Sequence, residues 1–274
     1  MKTKFWLLVI TPAILLLGVS LAYAACESVA TADFQGQVCT EPGKETRNGI
    51  WLNEDGGTFS GNVVIATVSR PQEQSTQITK NGVLATPTFN GRLEYAKTSH
   101  WMAGNVSGDI NETRTGKERL ADGGVFAGSI KTYKQYHGHA DSTVRFARLE
   151  LTKKGTLATP TFDGTLEYVE MSVGPGDFVQ SSEVKTGKES LADGGIFEGS
   201  IFKQRFYGGV VLFVKQGTLT TPTFSGKLVH VESGDTYRET ITGKWRVSPT
   251  LILNGTITTV RNANGTYTVT DNRK

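Results

Sequence analysis

His137-Gly138-His139-Ala140-Asp141 is the one stretch whose residue types and spacing suit a metal ion. Alternate side chains of an extended segment point the same way, so His137, His139 and Asp141 can converge on one cation. No second histidine cluster completes such a shell, because His100 and His230 sit singly. A polar hairpin tip explains the same residues without a metal and is the preferred reading, with these three side chains as the candidate metal ligands. The recurring Asp-Gly-Gly, at Asp55, Asp122 and Asp193, would need six to eight oxygen ligands to hold calcium, and nothing else recurs at a suitable spacing. Tight turns are its expected role.

Catalytic chemistry finds little support. Serines are numerous, but none lies in a Gly-x-Ser-x-Gly elbow. Glu167 and Glu170 belong to an alternating strand pattern, and no glycine-rich loop opens a helix. The expectation is a protein with no catalytic residues and no cofactor. Asn105, Asn111, Asn254 and Asn264 each begin an N-glycosylation acceptor, which matters only in a eukaryotic host.

The address comes from the first residues. Lys2 and Lys4 precede an apolar run from Phe5 to Leu17, and Ala22-Tyr23-Ala24 is a small-x-small cleavage pattern. Residues 1–24 therefore read as a signal peptide. Cys26 and Cys39 are then expected to close a disulfide in an oxidising compartment. Of the 29 Lys and Arg, two lie in that leader, against 26 Asp and Glu, so the exported chain is close to neutral and a nucleic-acid partner is not expected.

Repeats position everything else. Gly82-Val-Leu-Ala-Thr-Pro-Thr-Phe89 returns as Gly155-Thr-Leu-Ala-Thr-Pro-Thr-Phe162 and Gly217-Thr-Leu-Thr-Thr-Pro-Thr-Phe224. Between them stand Ala121-Asp-Gly-Gly-Val-Phe-Ala-Gly128 and Ala192-Asp-Gly-Gly-Ile-Phe-Glu-Gly199. Both kinds of segment finish on aromatic-x-Gly-x-aliphatic. The pattern pairs Phe59 with Gly61, Phe89 with Gly91, Phe126 with Gly128, Phe162 with Gly164, Phe197 with Gly199 and Phe224 with Gly226. A seventh copy pairs Leu253 with Gly255. Residues i, i+2 and i+4 of a strand share a face, so each triplet lines one side of a sheet. An interior glycine weakens a strand unless a ring uses the vacancy, and a row of rings over glycines is expected.

Successive glycines of this pattern lie 27 to 37 residues apart. A solenoid turn must keep its length, whereas a hairpin can lengthen at its tip, so seven hairpins of about fourteen strands are expected. Tips are placed at Ser69–Gln74, Ser107-Gly-Asp109, His137-Gly-His139, Gly174–Asp177, Tyr207-Gly-Gly209, Ser233-Gly-Asp235 and Asn262–Gly265. The expected fold is an all-β antiparallel hairpin meander, as an extended or curled sheet or a sandwich, with a closed barrel as the alternative. Residues 25–52 read as a lead-in and 53–274 as the repeat domain.

The Asp-Gly-Gly-Val-Phe-Ala-Gly and Asp-Gly-Gly-Ile-Phe-Glu-Gly segments resemble the Asp-Gly-x-x-Tyr-x-Gly core of MORN repeats over about ten residues per unit. That likeness implies an elongated meander of hairpins with a scaffold or interaction role and no catalysis. Here the spacing is longer than that family's, phenylalanine stands for tyrosine, and half the copies carry Thr-Pro-Thr.

The functional expectation is an exported, non-enzymatic protein acting as a binding, adhesive or structural surface, in the periplasm, at the cell surface or outside the cell. Its partner would be a protein, a glycan or an envelope surface. A barrel binding a small apolar ligand is the second reading. An outer-membrane barrel is the third, and charges on both faces of several return strands argue against it.

Overall fold

A computed structural model describes residues 24–139, 145–174 and 178–274. Residues 1–23, 140–144 and 175–177 lie outside them. The described chain is all β, an open antiparallel meander of seventeen strands. The backbone of each strand pairs only with its sequence neighbours, so the sheet is one layer thick. The sandwich and closed-barrel expectations are thereby replaced by an open single sheet, and three strands are added to the fourteen anticipated.

The seventeen strands resolve into one leading strand and four units of four. The leading strand is β1 (Ala25–Ala30). Unit one holds β2 (Phe34–Glu41), β3 (Lys44–Leu52), β4 (Thr58–Arg70) and β5 (Glu73–Ala85). Unit two holds β6 (Phe89–Met102), β7 (Asn105–Arg119), β8 (Val125–His139) and β9 (Arg145–Ala158). Unit three holds β10 (Phe162–Val173), β11 (Phe178–Ser190), β12 (Ile196–Arg205) and β13 (Val211–Thr220). Unit four holds β14 (Phe224–Ser233), β15 (Thr236–Arg246), β16 (Ile252–Arg261) and β17 (Tyr267–Asp271). Strands β1 to β3 thus occupy the stretch read as a lead-in. Phe34-Gln-Gly36-Gln-Val38 there is an eighth copy of the ring-and-glycine triplet, missed in the sequence.

Two turn types set the register. In the Asp-Gly-Gly turn, the Asp122 carboxylate accepts from the Gly124 amide at 2.9 Å and the Leu120 amide donates to the Gly124 carbonyl at 2.9 Å, while Gly123 takes φ 84°. Asp55 and Asp193 repeat this, and Ser248 substitutes for them by accepting from the Leu251 amide at 3.1 Å. In the Thr-Pro-Thr turn, the Thr86 hydroxyl accepts from the Phe89 amide at 2.9 Å. Thr159 and Thr221 do the same, and so does Thr31 ahead of Phe34, where Ala32 and Asp33 disguise the motif.

Glycines face glycines inside each unit. Gly61 opposes Gly49 on one side and Gly82 on the other, and Gly91, Gly116, Gly128 and Gly155 form the same chain of pairs in unit two. In unit four Gly226 opposes Gly243, which opposes Gly255. Across the Thr-Pro-Thr turns the row steps by two residues, so Gly155 opposes Leu166 and Leu157 opposes Gly164.

The expected ring over every glycine holds only in part. At Gly226 it does, since an added Cβ would lie 2.6 Å from the Phe224 ring. At Gly61 the vacancy is used by backbone: a Cβ would meet the Asn81 carbonyl and lie 2.6 Å from the Gly82 Cα, while the Phe59 ring lies over Gly82 instead, at 2.9 Å. Gly128 likewise faces the Gly155 Cα at 2.6 Å. Gly255 departs furthest, because Leu253 brings no ring and the groups closest to an added Cβ are the backbone of Asn272 and Arg273. It also takes φ 149°, which favours glycine for a reason unrelated to any ring. Close approach of neighbouring strands is thus the common cause of the row, and ring contact is a local addition to it.

Three tips differ from expectation, and one of them, His137-Gly-His139, lies inside β8 and pairs with β7. Ser107-Gly-Asp109 lies inside β7, and the turn falls at Ala103-Gly104, both with positive φ. Gly108 instead makes room for the Tyr136 ring, whose hydroxyl donates to the Thr98 carbonyl at 3.1 Å and lies 2.6 Å from the Ser99 hydroxyl. The first tip is only Pro71-Gln72.

Candidate binding surface

The face carrying the rings, here the ring face, is where a single layer must bury apolar groups without a second layer over it. Its fully buried side chains are Phe126 and Phe197. Each is roofed by an ion pair that spans it. Lys153 on β9 reaches Glu118 on β7 at 2.7 Å, with its ammonium 5.9 Å from the Phe126 ring centre. Lys215 on β13 pairs with Glu189 on β11 and lies 4.5 Å from the Phe197 ring centre. The charges on the return strands, which look wrong for a buried face, are explained by these stems and cation–π contacts.

A second set of pairs lies one row further out. Every unit has a glutamate at the same place on its second strand: Glu45, Glu112, Glu183 and Glu239. Arg47, Arg114 (2.7 Å) and Lys185 (3.2 Å) pair with the first three. In unit four Ile241 stands where the cation would be, and His230 Nδ1 lies 3.3 Å from Glu239 instead. Burial first, and the Glu112 charge second, push the Tyr95 hydroxyl above its ordinary value. Burial and then the bond to Glu170 push Tyr168 up to about 12.

Units one and four depart from this pattern at one position, where unit four carries Trp245 with its ring 4.8 Å from Phe224. Trp51 stands where units two and three have Glu118 and Glu189. Its ring lies 4.7 Å from Phe34 and 5.1 Å from Phe59. Lys80, the counterpart of Lys153, forms no ion pair among the described residues and sits 5.6 Å from the Tyr95 ring centre. A hollow of about 320 Å³ results, lined by Trp51, Phe59, Ile65 and Ile78 with Asp33, Arg47 and Lys80 among its charged groups. Rings for a floor and a few charged groups to orient a ligand are the usual make-up of a small-molecule or sugar subsite. The arrangement was not read from the sequence, although the exchange of glutamate for tryptophan two residues after Gly49 was the signal.

The expected metal ligands are not assembled among the described residues. His137 is exposed on β8 opposite Ser107, which in turn opposes His100. Asp141 and the His139 side chain lie outside the described residues, and no group of three metal-ligating side chains occurs among those that are described. Cys26 and Cys39 face each other on β1 and β2 and are joined as a disulfide. The repeat residues Phe59, Phe89, Phe126, Phe162, Phe197 and Phe224 are all buried on the ring face, each followed two residues later by its glycine. No protein-family model, no curated protein and no solved structure matches this chain.

Proposed function

We propose that the protein is exported and acts without catalysis, as a β-repeat surface that binds a glycan or protein partner of the cell envelope or its surroundings. The observation that carries this reading is the unit-one hollow. Where units two and three close their rings under an ion pair, Trp51 leaves a ring-floored recess in which Lys80 forms no ion pair among the described residues. A single layer also leaves both faces in contact with solvent over its whole length, which favours contact with an extended partner.

The test has two arms. Fractionation of the native host places the protein in an envelope or secreted fraction, and recovery from the cytoplasm refutes export. Immobilised mature chain is then compared with its Trp51→Glu variant on an array of envelope glycans and in a pull-down. Glutamate at 51 recreates the pattern of units two and three and closes the recess over Lys80. Retained ligands that disappear with the variant support the reading, and identical retention by both chains removes the recess as its basis.

A further inference from the structure

We propose that the Thr-Pro-Thr corners of units two and four are two equivalent oxyanion-binding sites, and that together they engage an acidic polysaccharide. The pockets at these corners share their lining position by position. One holds Thr86, Pro87, Thr88, Phe89, Asn90, Lys117, Arg119 and Val125 around about 460 Å³. The other holds Thr221, Pro222, Thr223, Phe224, Ser225, Lys244, Arg246 and Ile252 around about 240 Å³. The sheet itself fixes the cations at the corner: the Arg119 amide donates to the Thr88 carbonyl at 2.7 Å, and the Arg246 amide to the Thr223 carbonyl at 2.8 Å.

Neither lining contains a carboxylate. Lys117, Arg119, Lys244 and Arg246 form no ion pair among the described residues, although thirteen such pairs occur elsewhere on the sheet. Glu118, between the two cations of the first corner, is held by Lys153 at 2.7 Å on the ring face, and Asp122 is turned into its own loop onto the Gly124 amide. A lysine and an arginine two apart on one strand project to the same side, and the guanidinium fork beside an ammonium suits a sulfate, phosphate or carboxylate group.

The other two units serve as internal controls. In unit three the same corner has Ser190 in place of the arginine, Asp163 in place of Asn90, and Lys188 held 3.6 Å from Glu198. In unit one Ile50 and Leu52 stand at the cation positions. The corner turn recurs in every unit, but the free pair of cations is confined to two. These sites lie eight strands apart, roughly 38 Å along the sheet at the usual strand spacing. A linear polyanion can reach both, and simultaneous contact multiplies the affinity of each. The near balance of 29 basic and 26 acidic residues argues against a general affinity for nucleic acid, and the choice of a polysaccharide rests on the exported reading above. The oxyanion sites themselves do not.

The test titrates the mature chain with inorganic sulfate and then phosphate, following backbone amide NMR signals, and repeats the titration with heparin, polygalacturonate and single-stranded DNA at physiological ionic strength. Expected are two saturable sets of shifts, one at Thr88 and Arg119 and one at Thr223 and Arg246. Lys117→Gln with Arg119→Gln removes the first set alone, and Lys244→Gln with Arg246→Gln the second alone, while Lys188→Gln changes neither. Either double variant lowers the affinity for the acidic polysaccharide about tenfold or more as bivalency is lost. Absence of saturable shifts at both corners, or an equal loss with Lys188→Gln, overturns the sites. Corner shifts with DNA binding at least as tightly as either polysaccharide keep the oxyanion sites and overturn the choice of polymer. Cytoplasmic recovery of the protein refutes export without altering the corner titration.

Discussion

Lys153 and Glu118 meet at 2.7 Å over the Phe126 ring although they belong to β9 and β7, strands separated by β8. This is how one layer of sheet makes a dry interior. The lysine ammonium lies over the ring, and the carboxylate of the second neighbour fixes it there. Phe126 is 1% exposed and Phe197, under the equivalent Lys215–Glu189 pair, is 0%, whereas Phe34 and Phe59 beside Trp51 keep 5%.

The roof makes a measurable prediction. Phe126→Ala is expected to cost about 3 to 5 kcal/mol, as for other buried phenylalanines. Glu118→Gln and Lys153→Met, combined in a double-mutant cycle by urea denaturation, are expected to show a coupling of about 1 kcal/mol. Zero coupling would mean that the pair is decoration on a ring buried by other means.

The glycine row predicts a contrast between two alanine substitutions. Gly128→Ala drives a methyl against the Gly155 backbone, with an expected cost of about 1 to 3 kcal/mol and displacement of β9. Gly123→Ala meets open space and only the strain of a φ of 84°, about 1 kcal/mol. Denaturation midpoints that coincide, together with unchanged amide shifts in β9, would contradict close approach as the reason for the row.

Acid should loosen the ends of the sheet first. The Thr31 hydroxyl, bonded at 2.7 Å, and then a backbone amide hold the Asp33 carboxyl below its ordinary value, and Arg273 holds Asp271 there. A lowered carboxyl contributes stability that is complete above the unfolded value near 3.9 and is lost as pH falls through the folded one. Hydrogen exchange below about pH 4 is therefore expected to rise first in β2 and β17, and Asp33→Asn should remove the pH dependence at the first site. Tyr168 behaves in the opposite sense: its raised value conserves the folded state up to pH 10, and that contribution fades as pH rises through about 12. Phenolate absorbance should show Tyr168 among the late-ionising tyrosines, and Glu170→Gln should lower its value in part, leaving the effect of burial.

The disulfide ties the leading strand to the first unit. Closing a loop of this size stabilises by about 3 kcal/mol in the chain-entropy account, and Cys26 and Cys39 are 13 residues apart. Reduction, or Cys26→Ser with Cys39→Ser, is expected to increase amide exchange in β1 and the adjoining edge of β2 while β6 to β13 stay protected. Global unfolding on reduction would show instead that the repeat units cannot stand without their leader.

Much of this fold could be read from residue order. The triplets at Phe89, Phe126 and Phe162, the Asp-Gly-Gly and Thr-Pro-Thr turns, and the tips at Tyr207-Gly-Gly209 and Asn262–Gly265 are local features with local physical causes. The first unit was harder to see because Thr31-Ala-Asp33 hides its turn. Ser107-Gly-Asp109 misled because a glycine that admits a ring has the same letter as one that makes a turn. Gly61 and Gly255 misled in the converse way, since a glycine that admits a neighbouring backbone has the same letter as one that admits a ring.

Residue order by itself determined that neighbouring segments pair as hairpins and which side chains share a face, because period-two alternation and turn stereochemistry act over a few residues. Only the tertiary structure decided that strands join in fours with a two-residue step between units, that Glu118 answers Lys153, and that Trp51 opens a recess. Those depend on lateral register summed across several strands, where partners 35 residues apart meet only once every turn between them has set its length.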